Sequence, residues 1–139
     1  MDAMFQQAVS KGRTINFEQL KKFYVETLYK GILHYESLAQ KVYHRSPSHV
    51  LLLHENDLAA LFIGDLIQHL KSNGWTICTP EESYRDESLV PFPSGIQRHG
   101  QGRVVAHATQ KKFPKPLISG LEDEEVLEKI WKGYQIVKD

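Results

Sequence analysis

The chain has 139 residues, inside the usual span of about 100–200 for one domain, so residues 1–139 are read as a single domain. Its 17 Lys+Arg balance 17 Asp+Glu, which removes the basic bias of a nucleic-acid binder or of a protein that docks on an anionic membrane. Cys78 stands alone, which excludes an intramolecular disulfide and a thiolate-rich metal cage and points to a reducing compartment.

The N-terminus, Met1-Asp2-Ala3-Met4-Phe5, has no basic region leading into a long apolar one, and no apolar run reaches about 18 residues. A cytoplasmic location is therefore expected of the chain as it stands, and it would change only if the chain were part of a longer secreted enzyme. A short helix is predicted over Ala3 to Val9, stopped by Gly12. From Asn16 to Val42 the apolar residues Phe17, Leu20, Phe23, Tyr24, Leu28, Ile32, Tyr35, Leu38, Ala39 and Val42 recur at three and four, which predicts one long amphipathic helix. Glu18, Lys21, Lys22, Glu26 and Lys30 fall on its other, solvated face.

Ser46-Pro47-Ser48 breaks that pattern, and His49-Val50-Leu51-Leu52-Leu53-His54 follows as a run apolar at consecutive positions, the pattern of a strand buried on both faces of a parallel sheet. Asn56 or Asp57 can cap a helix through Leu58, Leu61, Phe62, Leu66 and Leu70, with Asn73-Gly74 as its exit. Trp75-Thr76-Ile77-Cys78 reads as a second strand, with Cys78 as a small buried apolar residue. Thr79-Pro80-Glu81-Glu82 is a capping box with Pro at the first helical position. Strand, helix, strand, helix is a βαβ unit, so the expected fold class is α/β with a small parallel sheet and a long N-terminal helix. Residues 86–119 are irregular and rich in Pro and Gly, with Arg103 to Thr109 either a short strand or a helical turn. Glu122-Asp123-Glu124-Glu125 opens a last helix through Val126, Leu127, Ile130 and Trp131.

Seven histidines invite a metal hypothesis, and their spacing argues against it. His54-Glu55-Asn56-Asp57 begins like a zincin helix, but Leu58 occupies the place of the second His. His44 and His49 flank a proline turn, and His34, His69, His99 and His107 have no Cys, Asp or Glu at a ligand-like interval. Gly100-Gln101-Gly102-Arg103 is neither a P-loop nor a dinucleotide fingerprint. His54 stands apart because the carboxyl end of a buried parallel strand is where α/β folds build their sites, and an imidazole there can move a proton. Glu55, Asn56 and Asp57 could orient that ring, cap the following helix, or do both; a His bonded to its own loop is the plainer alternative.

The string Ser46-Pro47-Ser48-His49-Val50-Leu51-Leu52-Leu53-His54-Glu55-Asn56-Asp57-Leu58-Ala59-Ala60-Leu61-Phe62, continuing to Gly74-Trp75-Thr76-Ile77 and Pro80-Glu81-Glu82-Ser83-Tyr84, resembles the C-terminal part of the polysaccharide deacetylase (NodB-homology) family. The likeness takes in the long helix from Phe17 to Arg45 and reaches Gly100-Gln101-Gly102-Arg103 and the acidic last helix more loosely. It implies a partial (β/α) barrel-like fragment of a hydrolase of carbohydrate metabolism that removes N-acetyl groups from amino sugars with a divalent metal. His54 would be the general acid for the leaving amine, and Glu55 stands where many members have Asp. The family's Thr-Phe-Asp-Asp strand and His-Ser/Thr-x-x-His segment, which supply metal ligands and base, are absent between Met1 and Asp139. Without them the attacking water stays far too weak an acid to ionise near neutral pH and nothing removes its proton.

The chain is therefore expected to hold no metal or other cofactor and to be inactive alone, or to depend on a separate catalytic half. The alternative is a non-catalytic binding or structural module that uses the His54 end of the sheet as a ligand or protein contact. No nucleic-acid or membrane partner is expected. Phe17, Phe23, Tyr24, Tyr29 and Tyr35 give the long helix more aromatic surface than one small sheet needs, which together with unpaired strand edges leads to the expectation of a homodimer.

Overall fold

The computed structural model describes residues 1–86, 93 and 102–138. The described residues form α1 (Asp2–Ser10), β1 (Thr14–Ile15), α2 (Phe17–Tyr43), α3 (Asp57–Ser72), α4 (Pro80–Tyr84), α5 (Arg103–Gln110), a 3-10 turn (Gly120–Glu122), α6 (Glu124–Gly133) and β2 (Val137–Lys138). They group into two compact units, one of Met1–Lys30, Leu52–Ile77 and Gly120–Asp139, the other of Gly31–Leu51 and Cys78–Ser119.

The α/β expectation is overturned. The ladder among the described residues is one antiparallel pair, Thr14 with Lys138 and Ile15 with Val137. Residues 49–54 and 75–78, read as parallel strands, form no strand, so the partial (β/α) barrel-like fragment with a parallel sheet is not what this chain folds into. A consecutive apolar run shows that a segment favours burial, not that the chain holds neighbours to bury it. A parallel pair needs further strands and a cover on each face to persist. Here the apolar helix faces that would form the cover are used by other helices.

The first unit shows this use. Leu20 and Phe23 of α2 are fully buried, and the Phe23 ring meets Trp131 and Tyr134 edge-on at 5.4 and 5.8 Å between centroids. Tyr24 packs against Phe62 of α3 at 6.0 Å, and Leu58 and Leu66 are buried beside it in sequence period. Each such aliphatic or aromatic side chain contributes about 1.5–3 kcal/mol on burial. The aromatic surplus expected on the long helix is therefore consumed internally: Phe23 and Tyr24 are buried, Tyr29 lies 4.6 Å from the His69 ring, and Phe17 is the one left exposed among the five.

In the second unit the C-terminal half of α2 supplies Leu38 and Val42 to a cluster with Val105, Ala108 and Leu117. Arg103 to Thr109, left open between strand and helical turn, is helix α5. Of the Pro/Gly-rich stretch over 86–119, residues 87–92 and 94–101, with Pro91, Gly95, His99 and Gly100, lie outside the described residues.

The helix boundaries follow their signals. Asn56 caps α3 through its side chain, Gly74 takes φ +83° just past the exit, and Thr79 with Glu82 forms the reciprocal capping box of α4. Asp123 accepts from the Glu125 and Val126 amides at the start of α6. The longest helix, α2, carries Glu and Lys throughout its length, and among the described residues no helix is long and apolar enough to cross a membrane.

Candidate functional site

The segment expected to carry the site, residues 46–57, is a connection from α2 to α3. Its first residues are fixed within the second unit. The Ser48 N–H donates to Asp86 Oδ2 at 3.0 Å, and Arg45 pairs with the same carboxylate. His49 Nε2 lies 2.7 Å from Glu36 Oε2, an oxygen that also accepts from Ser46 Oγ at 3.0 Å, while Gln40 Nε2 donates to Glu36 Oε1 at 2.6 Å. Burial pushes the Glu36 carboxyl upward, but the hydrogen bonds from His49, Gln40 and Ser46 and the charge of His49 outweigh it and hold the group below the ordinary carboxylate range.

Its last residues are fixed within the first unit. Asn56 Oδ1 accepts from the Ala59 N–H at 2.9 Å, Asp2 Oδ1 accepts from the Leu58 N–H at 3.1 Å, and Gln6 donates to Asp57. Asn56 and Asp57, two of the three supports expected for His54, thus make their hydrogen bonds to the helix start and to α1. Glu55 is exposed.

Within this connection three apolar side chains face water: Val50 is 61% exposed, Leu51 46% and Leu52 84%. His54 is exposed as well, in a segment that is no strand, and not at the end of a buried central strand. It lines neither of two clefts, one of about 570 Å³ in the first unit and one of about 260 Å³ beside His34 and Phe113 in the second. Cys78 is exposed, which corrects the expectation of a buried strand residue, and Ile77 beside it is 49% exposed.

Three other histidines have structural surroundings. His34 Nε2 lies 3.1 Å from the Leu117 carbonyl oxygen, His107 is buried with its ring 5.4 Å from Tyr43, and His69 packs on Tyr29. Among the described residues no three His, Cys, Asp or Glu side chains converge to hold a metal ion. The divalent metal that the deacetylase likeness implies therefore has no fitting donor set in these residues, and no chemical step of this chain is derived through one.

Sequence reasoning missed the Glu36 cluster. The signal was present in part: Glu36 and Gln40 stand four apart on one helix face, just ahead of the Ser46-Pro47-Ser48 turn that brings the chain back onto them.

Compared with known proteins, the chain matches no family model, no curated protein and no solved structure.

Proposed function

We propose that the chain is the deacetylase-like part of a hydrolase acting on the amide of N-acetylated sugars, inactive alone and completed by a separate half that brings the metal ligands and the base. The observation that carries this reading is the exposed run Val50-Leu51-Leu52, which stands two residues before the exposed His54, in a segment with hydrogen bonds at Ser48 and Asn56. Three consecutive exposed aliphatic residues are costly in water, and adding the segment as a strand to the edge of another chain's sheet would cover them. In that arrangement His54 is the one residue of this chain that reaches the reaction, as proton donor to the leaving amine.

A second reading keeps the contact and drops the chemistry: the same run serves a protein partner in a purely structural role. The exposure of Leu52 favours it equally.

The test mixes the chain with the N-terminal half of a full-length polysaccharide deacetylase that carries the Thr-Phe-Asp-Asp and His-Ser/Thr-x-x-His segments. Acetate release from N-acetylglucosamine oligomers is measured with added Zn²⁺ or Co²⁺. The proposal expects release from the mixture only, lost with His54→Ala. Binding without release, or release indifferent to His54→Ala, favours the structural reading; turnover by the isolated chain contradicts both.

A further inference from the structure

Helix α3 buries one face and leaves the other to solvent. Leu58, Ala59, Phe62, Leu66 and Leu70 are buried in the first unit, to which the whole of α3 belongs. On the other side Leu61 is 46% exposed and Ile63 43%, Ala60 and Gly64 are exposed, and Ile67 is half-buried. Ala60, Gly64 and Ile67 stand at spacings of four and three, so they follow one line along that outward face.

Gly64 is the unusual member. It falls in the middle of α3, where glycine weakens a helix because it gives up more backbone freedom on folding than any other residue. This chain does not require it there: its φ is not positive, and among the described residues a Cβ placed on it would meet no atom within 4 Å. Open space at a mid-helix glycine is what the close approach of a second backbone needs. Gly31 of α2 has open space as well, but the residues seven before and seven after it, Tyr24 and Leu38, are buried within this chain.

The charges select the occupant. Of the four titratable side chains of α3, Asp65 lies 3.7 Å from Lys21 and His69 packs on Tyr29, both toward α2. The other two are placed evenly about the glycine: Asp57 stands seven residues before Gly64 and Lys71 seven after it, two turns and about 10 Å along the axis in each direction. Asp57 accepts a hydrogen bond from the neutral Gln6 amide, which leaves its charge in place. Two copies of α3 that cross antiparallel at Gly64 set Asp57 of each against Lys71 of the other, whereas a parallel crossing sets like charge against like. An acid at the start and a base at the end also suit the helix macrodipole, but the dipole asks for no glycine midway between them.

We propose that the chain pairs with a second copy of itself through the outward face of α3, antiparallel and centred on Gly64, with Asp57 and Lys71 exchanged across the two-fold axis. The pairing uses neither the run Val50-Leu51-Leu52 nor His54, so it and the deacetylase reading can fail separately.

The test is sedimentation equilibrium of the full chain and its variants at low salt. The parent is expected to dimerise with a Kd on the order of 10–100 µM, as suits a contact one helix wide. Asp57→Lys and Lys71→Asp are each expected to weaken self-association at least tenfold, because like charges then face one another, while an equimolar mixture of the two variants associates as the parent does, every Lys then meeting an Asp. Gly64→Gln is expected to abolish the dimer while it raises the thermal midpoint of the dilute chain by about 2–4 °C, which separates a blocked contact from a damaged fold. If Asp57→Lys does not fold, Lys71→Asp in the exposed last turn reads the weakening alone. A parent that stays monomeric at about 500 µM, folded charge variants that pair as the parent does, a mixture no stronger than its components, or a dimer indifferent to Gly64→Gln overturns the proposal.

Discussion

Leu52 and Leu58 make a matched pair of perturbations, six residues apart and of one side-chain type, with opposite surroundings. Leu58, in the first turn of α3, is 1% exposed, whereas Leu52 is 84% exposed. Truncating a buried Leu to Ala removes transfer free energy and leaves a cavity, together about 2–5 kcal/mol, while truncating an exposed one changes stability by less than about 0.5 kcal/mol. For a chain of this length 1 kcal/mol moves the midpoint by about 3–4 °C, so Leu58→Ala is expected to lower it by about 6–20 °C and Leu52→Ala by no more than about 2 °C. Urea and thermal unfolding followed by helical circular dichroism measure both, on samples dilute enough to avoid self-association. A Leu52→Ala loss of 2 kcal/mol or more would mean that the run 50–52 is a buried strand after all, and the reasoning that places it in water would fall.

Tyr134, which donates its hydroxyl hydrogen to Glu26, is pushed up to about 12 by burial and by the Glu26 bond and charge. Its raised value means that this stabilisation is fully present below the ordinary tyrosine range and is lost as pH climbs from about 10 to about 12. Tyr134→Phe is expected to flatten that alkaline loss in a pH series of midpoints, and an unchanged profile contradicts the assignment. Glu36 is held low, so its share of stability is present above the ordinary carboxylate range and disappears as pH falls through the lowered value. Glu36→Gln should remove that acid-side slope, and a variant as acid-sensitive as the parent counts against the cluster. Cys78, being exposed, should react with a thiol reagent in the native chain nearly as fast as in denaturant, whereas protection by orders of magnitude would restore a buried position. Leu52→Lys should weaken binding to the added metal-bearing half, and binding unaffected by it would place the contact elsewhere.

Helices were legible in the sequence because their signals are local. The period of Phe17, Leu20, Phe23 and Tyr24, the Asn56 cap, the Thr79 to Glu82 box and the Asp123 start all concern residues within a few positions of one another, and α2, α3, α4 and α6 form where those signals stand. Strands are not local. The run from Val50 to Leu53 reads as a strand from composition alone, yet its pairing depends on neighbours far along the chain or on another chain. The same limit hid β1 and β2, two residues each and separated by 121 positions of sequence between Ile15 and Val137, and it hid the Glu36 to His49 contact. For the site, the place of His54 after an apolar run and before a capped helix was readable, while its exposure was not, because burial depends on which faces the remaining helices use. The aromatic residues of α2 illustrate this most plainly: counted along the sequence they look surplus, and in the fold Phe23, Tyr24 and Tyr29 are matched by Trp131, Phe62 and His69.

We propose that the exposed run Val50-Leu51-Leu52 is covered by a metal-bearing deacetylase half. Amide hydrogen exchange of Leu51, Leu52 and Leu53 tests it most directly, in the chain alone and after addition of that half. Exchange near the rate of an unstructured peptide in the isolated chain, slowed by about two orders of magnitude or more in the mixture, is the expected result. Protection already present in the isolated chain, or rates indifferent to the added half, would contradict it.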